Sequence, residues 1–437
     1  MLPLKQPISD PEMKNKKILI IAYVFPPIAY AGTYRTVRLC KHLINYNYNV
    51  TVLTIKEQCD LYNDYQLLNE IPNSINIIRT SIFDPFRFYR QYKNKFLGKP
   101  FGKTINWIVT KIIYIFTIPD HMIGWVPFAF TKAYRLIQKE KYDFIYVSSP
   151  PHSQQIICWM LKKVTRIKWI VDFRDPIINN IGISQIHNLQ YLILNRLEKC
   201  VFKNADAIIS NTKEAQKIFQ KKYSRANLDY IYNSFDEDDF MGLSEVKFKK
   251  FTISHIGSIY GHRKIDQLLT AIQSLDKEGK ICSQNFQLLL VGINYQGLTE
   301  QIQNYHLEEY IKISNAVRHK QALNLMVKSH LLLLVKGFGE NSGYQIPGKL
   351  FEYLGSGNPI LCIAPKNSEA AQIVLESKAG FVVEENPLSI RDILVKEYNK
   401  YLHDGIYSKL DRDLKYESRK MVRKFYKLFN DVLETTN

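Results

Sequence analysis

A glycine turn followed by basic side chains stands out in the second half of the chain. Gly257 lies at the end of a run that we predict to be a strand, Phe251–Ile259, and Arg263 and Lys264 come just before a helical pattern. Guanidinium and ammonium groups neutralise an anion, and backbone N–H groups at a helix start add hydrogen-bond donors. The segment therefore favours a diphosphate site, and a solvated, basic helix start is the alternative.

A second candidate lies around Pro347, which is well placed to begin a helix. Gly355 and Gly357 are expected to end that helix. Glu352 then shares a helix face with Lys349, three residues before it. We interpret Glu352 as a carboxylate beside a cleft that accepts hydrogen bonds from sugar hydroxyls. An ion pair between these two side chains on a solvated face is the alternative.

In the first half of the chain, polar residues follow two predicted strands. Gly32 comes after Pro26-Pro27 and precedes a helical pattern, so that a ligand can approach the backbone and meet the helix start. His152 follows the predicted strand Asp143–Ser148, at the edge where open α/β sheets bind ligands. The alternatives are a simple tight turn at Gly32 and a surface or capping role for His152.

Three charged residues, Asp172, Arg174 and Asp175, lie at the end of another predicted strand, Lys168–Asp172. Charges at the end of a buried strand are unfavourable unless they pair or contact a ligand. We interpret these residues as a ligand-contacting group. An internal pair between Arg174 and a carboxylate that shapes the loop is the alternative.

The elements that position these residues alternate between short β-branched runs and helical patterns, which is typical of parallel sheets built from βαβ units. The pattern restarts at Phe251 after a polar stretch, Asn233–Lys250, which is the predicted linker. The predicted fold class is α/β, with two doubly wound Rossmann-like domains facing across a cleft, the GT-B arrangement. We expect domains at residues 1–235 and 236–410, and a C-terminal helix in 411–437 that packs back on the first domain.

Length and composition support two globular domains. A chain of 437 residues exceeds one ordinary core, and a content of 46% hydrophobic and 23% charged residues excludes extensive disorder. The six cysteines lack metal-ligand spacing, so we expect reduced thiols and no metal. The residues before the first strand lack the apolar run of a signal peptide, so a cytoplasmic location is expected.

The net charge of +18 indicates an anionic partner, and a lysine-rich composition explains it equally well. The stretch Phe83–Pro127 is dense in aromatic and basic residues, and its apolar part, Ile105–Ile118, is too short to span a bilayer. We expect this part to lie in a membrane interface or to pack on its own domain. Nucleic acid is not an expected partner, because the sequence has no zinc-finger, RNP-type or basic-region motif.

Together these blocks resemble the retaining, GT-B-fold glycosyltransferases of the large bacterial capsule and lipopolysaccharide family, which are family 4-like. The resemblance covers nearly the whole chain in order, and its blocks are Pro26-Pro27 with Gly32, Pro119-Asp120 with Trp125, Ser148–Pro151, Asp172–Pro176, Asn233–Asp236, Gly257–Tyr260 and Pro347–Pro359. It implies sugar transfer from a nucleotide-diphosphate-sugar, with retention of configuration, in surface polysaccharide synthesis. The basic aromatic stretch and the net charge add the hypothesis of a lipid-linked acceptor and a peripheral position on the cell membrane.

The resemblance implies a donor site mainly in the second domain. Arg263 and Lys264 would hold the diphosphate, Glu352 matches the second glutamate of the E-x7-E motif that contacts the ribose, and the backbone at Asn315–Val317 would flank the base. Gly32 would approach the phosphates from the first domain. The donor-binding residues are then Gly32, Gly257, Arg263, Lys264, Val317, Gly343, Tyr344, Lys349 and Glu352.

The remaining roles divide between catalysis and the acceptor. His152 matches a position near the transferred sugar, so that the implied catalytic group is His152 with Arg263 and Lys264. The implied acceptor side consists of Asp172, Arg174 and Asp175.

Tyr344 stands eight positions before Glu352, where the family has the first glutamate of its motif. We expect backbone amides from Gly343 to Ile346 to contact the sugar instead. Since no side-chain nucleophile stands out, the leaving diphosphate, stabilised by cations, would itself take the acceptor proton without a metal. The alternatives are another GT-B activity, such as a nucleotide-sugar epimerase or an inverting transferase, and a catalytically idle scaffold that binds a membrane or partner proteins.

Overall fold

The structure, a computed structural model, describes residues 15–56, 62–84, 117–178, 188–224, 227–259, 264–293, 295–338, 345–404 and 410–435. The chain forms two compact units. The first unit comprises Met1–Tyr232 with Val422–Asn437, and the second comprises Asn233–Met421.

Parallel strands form the centre of the first unit. Within its described residues the sheet has seven strands in the order β3-β2-β1-β4-β5-β6-β7. These strands are mostly continuous apolar runs, buried on both faces as parallel strands require. Their bounds are β1 Lys16–Ile21, β2 Tyr48–Ile55, β3 Asn76–Thr80, β4 Phe144–Ser149, β5 Lys168–Phe173, β6 Ala207–Ser210 and β7 Leu228–Tyr230.

Helices connect these strands through the crossovers that parallel pairing requires. They are α1 Ala31–Leu43, α2 Val126–Lys139, α3 Ser153–Thr165, α4 Asn188–Asn204 and α5 Lys213–Tyr223, with short 3-10 helices at Ile44–Tyr46, Tyr65–Glu70 and His121–Trp125.

The second unit repeats the same plan with six described parallel strands in the order β10-β9-β8-β11-β12-β13. The strands are β8 Phe251–Ile256, β9 Phe286–Val291, β10 Ile311–Ser314, β11 Leu331–Val335, β12 Ile360–Ile363 and β13 Gly380–Val383. The helices are α6 Asp266–Lys277, α7 Leu298–Asn304, α8 His319–Lys328, α9 Lys349–Ser356, α10 Glu369–Glu376 and α11 Pro387–Asp404, with 3-10 helices at Glu237–Phe240 and Leu414–Tyr416.

The last helix, α12 (Ser418–Glu434), begins in the second unit and continues into the first at Val422. Its apolar stripe packs on the first sheet, where the rings of Phe429 and Phe144 lie 4.9 Å apart between centroids. Lys168 Nζ donates to the carbonyl oxygens near the end of the helix, at 2.7 Å from Val432 O. The helix is therefore fixed to the first sheet at both its stripe and its end.

The fold class is confirmed as α/β with two Rossmann-like domains. In each sheet the strand order reverses between the first and fourth strands, which is the switch point where open α/β sheets bind ligands. Gly32 and His152 follow β1 and β4, the two strands at the first switch point, and Gly257 follows β8 at the second. His152 and Gly257 therefore lie just beyond the ends of their strands.

Two predicted helix boundaries are wrong. Helix α1 begins at Ala31, so Gly32 lies inside its first turn and not before it. Gly355 lies inside α9, where a Cβ atom would come within 2.7 Å of the ring of Phe235, and only Gly357, with a φ of 74°, ends the helix. Close packing, and not helix termination, requires the glycine at 355.

The predicted membrane-interface part, Ile105–Ile118, lies outside the described residues up to position 116. Among the helices that the structure describes, none combines the length and the apolar character needed to cross a bilayer. The five cysteines of the described residues are free thiols.

Candidate active site

Arg174, which follows β5, contacts the end of β4 and the first turn of α1. Its guanidinium lies against Gly32, where an ideal Cβ atom would stand only 1.2 Å from Nη1. Nη2 donates to the carbonyl of Pro150, and the backbone N–H of Arg174 donates to Ser149 O at 2.9 Å. Burial lowers the pKa of the guanidinium, and the charge of the half-buried Asp175 opposes that shift. Glycine at 32 is therefore what leaves room for this cation.

His152 lies beside this group at the start of α3 and is only 5% exposed. Among the residues that the structure describes, neither ring nitrogen has a hydrogen-bond partner. Burial lowers the pKa of His152 to about 4, against the opposing charges of Asp120 and Glu198. The ring is therefore neutral at pH 7, with one N–H donor and one acceptor nitrogen. Since buried polar groups normally have partners, this ring is suited to a ligand hydroxyl.

Asp120 fixes the backbone that carries His152. One of its carboxylate oxygens accepts the N–H groups of His152 and Ser153 at 2.6 and 2.9 Å, and the other accepts the N–H of Met122 at 3.1 Å. The amides of His152 and Ser153 lie at the start of α3, where a carboxylate is favoured. Asp120 thus occupies the anion-binding end of this helix.

Asp172 takes part in a closed network inside the first unit. Its carboxylate receives Nε and Nη2 of Arg35 at 2.7 and 2.8 Å, together with the hydroxyls of Tyr146 at 2.6 Å and Ser148 at 3.0 Å. Arg35 also donates to the carbonyl of Tyr232 at 2.9 Å. The Asp172 side chain is fully buried, so the placement of Asp172 on an acceptor side is corrected to a structural ion pair. Its partner is Arg35 and not Arg174.

A lysine covers the glycine turn of the second unit. Gly257 has a φ of 111°, and a Cβ atom there would stand 2.8 Å from Lys349 Nζ. Lys349 begins α9 and is half-buried, and its ammonium lies 2.8 Å from Nε2 of the buried His255. Nδ1 of that ring lies 2.9 Å from Leu333 O. The ammonium is thereby held directly over the backbone at the switch point.

Glu352 lies one turn further along α9 and pairs with His319 at 2.9 Å. The two side chains are 16% and 9% exposed, so the pair still reaches solvent. Lys349 and Glu352 thus contact two different histidines.

Two of the other predicted donor residues in the second unit, Lys264 and Val317, are among the described residues. Lys264 is exposed, and Val317 is half-buried in the stretch between β10 and α8. Arg263, Gly343 and Tyr344 lie outside the described residues.

Sequence reasoning missed Arg35, Asp120, His255 and His319 as contacts of the candidate residues. His255 carries a recognisable signal, since it interrupts an otherwise apolar or small-residue strand, Phe251–Ile256. Arg35 lies on α1 with a buried side chain, so an arginine in an amphipathic helix pattern gave a weaker signal. His319 and Asp120 follow loops, and only the folded chain brings them to their partners.

Comparison with known families and structures agrees with this architecture. Residues 33–239 match the model of Glycosyltransferase Family 4, and residues 237–421 match the model of Glycosyl transferases group 1. A search of curated proteins found no match.

Solved structures share the fold over almost the full length of the chain. Sucrose-phosphate synthase from Thermosynechococcus elongatus is 13% identical, with a TM-score of 0.58, over 96% of this chain and 100% of that one. HepE from Anabaena, solved with UDP-glucose, is 15% identical with a TM-score of 0.56 over 96% and 98%. A mutant of S. aureus TarM, solved with UDP among its ligands, is 10% identical with a TM-score of 0.60 over 95% and 100%.

At these identities the solved structures establish the fold, and the family models establish the kind of enzyme. The two models follow one another along residues 33–421, with one matching each half of the chain. The chain is therefore a GT-B glycosyltransferase composed of a family 4 domain followed by a group 1 domain.

Proposed function

We propose that this glycosyltransferase takes a sugar from a nucleotide-diphosphate-sugar and transfers it with retention of the anomeric configuration. The observation that carries the proposal is the ammonium of Lys349, held over the glycine backbone at the switch point of the second unit. A cation over an exposed strand end suits a diphosphate. The structures of HepE with UDP-glucose and of TarM with UDP support the same class of donor.

Each half of the candidate site has a distinct role in this proposal. In the second unit, Lys349 with Arg263 and Lys264 neutralises the diphosphate, Glu352 accepts hydrogen bonds from the ribose, and Val317 lies beside the base. Backbone amides at Gly343 and Tyr344 contact the sugar. In the first unit, the neutral ring of His152 binds a hydroxyl of the transferred sugar, and Gly32, with the guanidinium of Arg174 against it, approaches the phosphates.

The transfer step follows from these charges. The bond between the anomeric carbon and the diphosphate oxygen breaks as the acceptor oxygen bonds to that carbon on the same face. The acceptor proton passes to the departing diphosphate, whose negative charge grows during the step. Cations already in place stabilise that charge without reorganising, which is commonly the largest contribution to catalysis. We propose that the reaction needs no divalent metal, so turnover should persist in excess EDTA.

The direct test is a screen of nucleotide-sugars with a lipid-linked acceptor extract, followed by NMR assignment of the product anomer. Transfer with the donor's own anomeric configuration is the expected result. An inverted product would contradict the retaining assignment, and interconversion of the donor sugar without transfer would favour an epimerase. Failure to bind any nucleoside diphosphate would favour a scaffold that is not catalytic.

We further propose that the acceptor is lipid-linked and that the enzyme works at the inner face of the cell membrane in surface polysaccharide synthesis. The outer face of α2 supports this proposal, because Phe128, Lys132, Arg135 and Lys139 form one exposed stripe at helical spacing. An exposed ring among cations fits an anionic lipid surface, since the ring enters the interface and the cations meet the headgroups.

Vesicle co-sedimentation tests the membrane proposal. Binding to phosphatidylglycerol vesicles, and not to phosphatidylcholine vesicles, is expected. The double variant Lys132→Glu with Arg135→Glu should abolish it. A charge-matched control, Lys312→Glu with Lys320→Glu on the exposed surface of the second unit, should keep it. Equal losses in both double variants would assign the binding to net charge alone.

A further inference from the structure

We propose that His255 is a positioning residue, which holds the ammonium of Lys349 in place for the diphosphate of the donor. This inference rests on the proposed function, because it concerns how the same diphosphate is bound. His255 itself is 1% exposed, so that it acts through Lys349 and does not touch the ligand.

The hydrogen bonds of the imidazole determine its tautomer. Nδ1 lies 2.9 Å from Leu333 O, and a carbonyl oxygen can only accept, so Nδ1 carries the proton. In the neutral ring, Nε2 then offers a lone pair. Lys349 Nζ, 2.8 Å away, donates to that lone pair. His255 is thus neutral in this contact, and the lysine keeps its positive charge.

The position of Lys349 on its helix explains why its ammonium needs a hydrogen-bond acceptor to stay in place. Lys349 is the first residue of α9, and the N-terminus of a helix disfavours a cation. A free lysine side chain at this position would turn toward solvent, away from the helix dipole. The acceptor nitrogen of His255 instead keeps the ammonium over Gly257, 2.8 Å from where a Cβ atom would be. The ammonium of Lys349 and the N-terminus of α9 therefore both contribute positive potential at the same place, which favours binding of an anion.

The surrounding contacts fix the geometry of the hydrogen bond between Lys349 and His255. Tyr353, four residues after Lys349 and on the same face of α9, accepts the N–H of Ile256 at 2.9 Å with its hydroxyl. That hydroxyl also lies 3.4 Å from Leu333 O, the carbonyl that receives His255. The helix that carries Lys349 and the strand that carries His255 are thus tied together at two points. A lysine held in this way loses little conformational freedom when it binds an anion.

Two substitutions at position 255 distinguish the hydrogen bond that positions Lys349 from the space that the side chain fills. Asparagine reaches only as far as Nδ1 and can still donate to Leu333 O, whereas glutamine reaches as far as Nε2 and can offer its carbonyl to Lys349. The probes are UDP, GDP and ADP, with the corresponding nucleosides, measured by isothermal titration calorimetry. His330→Leu is the control, because His330 is also buried in the second unit but precedes β11 at the opposite edge of the sheet.

We expect His255→Asn to weaken diphosphate binding roughly tenfold, as Lys349→Met does, since each removes a hydrogen bond to a charged group. The double variant should lose no more than either single variant. His255→Gln should stay within about threefold of the wild type, as should His330→Leu. Nucleoside affinity should not change, which assigns the loss to the diphosphate and not to a damaged fold.

Wild-type affinity in His255→Asn, with a tenfold loss in Lys349→Met, would overturn the inference and leave the proposed function standing. Absence of nucleoside diphosphate binding to the wild type would overturn both. A measurement that needs no folded variant is 15N NMR of histidine-labelled wild-type protein. A neutral ring protonated at Nδ1 is expected at pH 7, and a protonated ring or the Nε2–H tautomer would overturn the inference.

Discussion

Two clusters of charged residues lie near the carboxyl ends of parallel strands, one in each unit, and they differ in burial. In the first unit, the side chains of Arg35 and Asp172 are 5% and 0% exposed. In the second unit, His319 and Glu352 are 9% and 16% exposed, and Lys349 is half-buried. At a similar position in the sheet, the first unit therefore has a buried ion pair, whereas the second has partly exposed charged side chains.

The difference separates stability from binding. The Asp172 carboxylate accepts two arginine nitrogens and two hydroxyls and is fully buried, so that it is not open to a ligand. The ammonium of Lys349 lies over the backbone of Gly257, and its side chain is only half-buried. Removal of a charge should consequently affect folding in the first unit and ligand affinity in the second.

The largest effect is expected for Asp172→Asn, which leaves the guanidinium of Arg35 buried without its counter-charge. The free energy of unfolding of the first unit should fall by about 3–5 kcal/mol. Urea denaturation monitored by far-UV circular dichroism measures the change. Arg35→Met combined with Asp172→Leu should be less harmful than the single substitution, because no charge then remains buried. If the Asp172→Asn variant were as stable as the wild type, the charges of the first unit would not have the structural role that distinguishes them from those of the second.

Acidification should weaken the first unit through the buried His152 and the second unit through the buried His330. Burial lowers the pKa of His152 and of His330 to about 4, from an ordinary value of 6.5. Between these pH values the unfolded chain binds more protons than the folded one, so stability falls as pH falls. The slope is up to about 1.4 kcal/mol per pH unit for each histidine.

Unfolding free energies measured between pH 7 and pH 4 provide the test. His152→Gln should remove its share of the slope from the first unit, and His330→Leu should remove its share from the second. An unchanged slope in either variant would contradict the assignment of a neutral buried ring.

Gly257→Ala should destabilise the second unit by about 1–3 kcal/mol, because φ at this position is 111° and alanine rarely adopts it. Gly348→Ala is the matched control. Its φ is −56° and a Cβ atom there meets nothing within 4 Å, so we expect an unfolding free energy within about 1 kcal/mol of the wild type. Thermal unfolding compares the two variants, and equal destabilisation would show that backbone strain at Gly257 is not the cause.

The smallest effect on folding is expected for Glu352→Gln, at about 1 kcal/mol or less, because the amide can still hydrogen-bond His319. Binding of the nucleotide should nevertheless weaken roughly tenfold, since the carboxylate is the proposed ribose acceptor. Calorimetric titration and denaturation of the same preparation check both values. If Glu352→Gln lost much unfolding free energy and kept its nucleotide affinity, Glu352 would be a structural residue, as Asp172 is.

The arrangement of strands was predictable because each is a short apolar run between turn residues. The predicted strands Asp143–Ser148 and Lys168–Asp172 lie within one residue of the observed β4 and β5 at each end. The predicted first strand of the second unit continued to Ile259, but β8 ends at Ile256. Hydrophobicity continues through this turn, whereas the positive φ of Gly257 ends the strand.

The partners of the charged residues were not predictable to the same degree. Asp172 pairs with Arg35, which is 137 positions away in sequence, and Glu352 pairs with His319, which is 33 positions away. Charge and strand position identified Asp172, Arg174 and Asp175 as a group without distinguishing the saturated carboxylate from the others. Only the three-dimensional contacts assign Asp172 to the interior and leave Arg174 beside Gly32.

The passage of α12 between units has a consequence for how the protein is made. The rings of Phe144 and Tyr146 on β4 are covered by Phe425 and Phe429, which the ribosome adds only after the whole of Asn233–Met421. The sheet of the first unit is therefore synthesised before the helix that covers it. Until α12 has been synthesised, the apolar surface of β4 stays uncovered. A nascent chain in this state is open to aggregation and is a natural client for chaperones. For the same reason, a fragment that stops at Tyr232 lacks part of the core of its own domain.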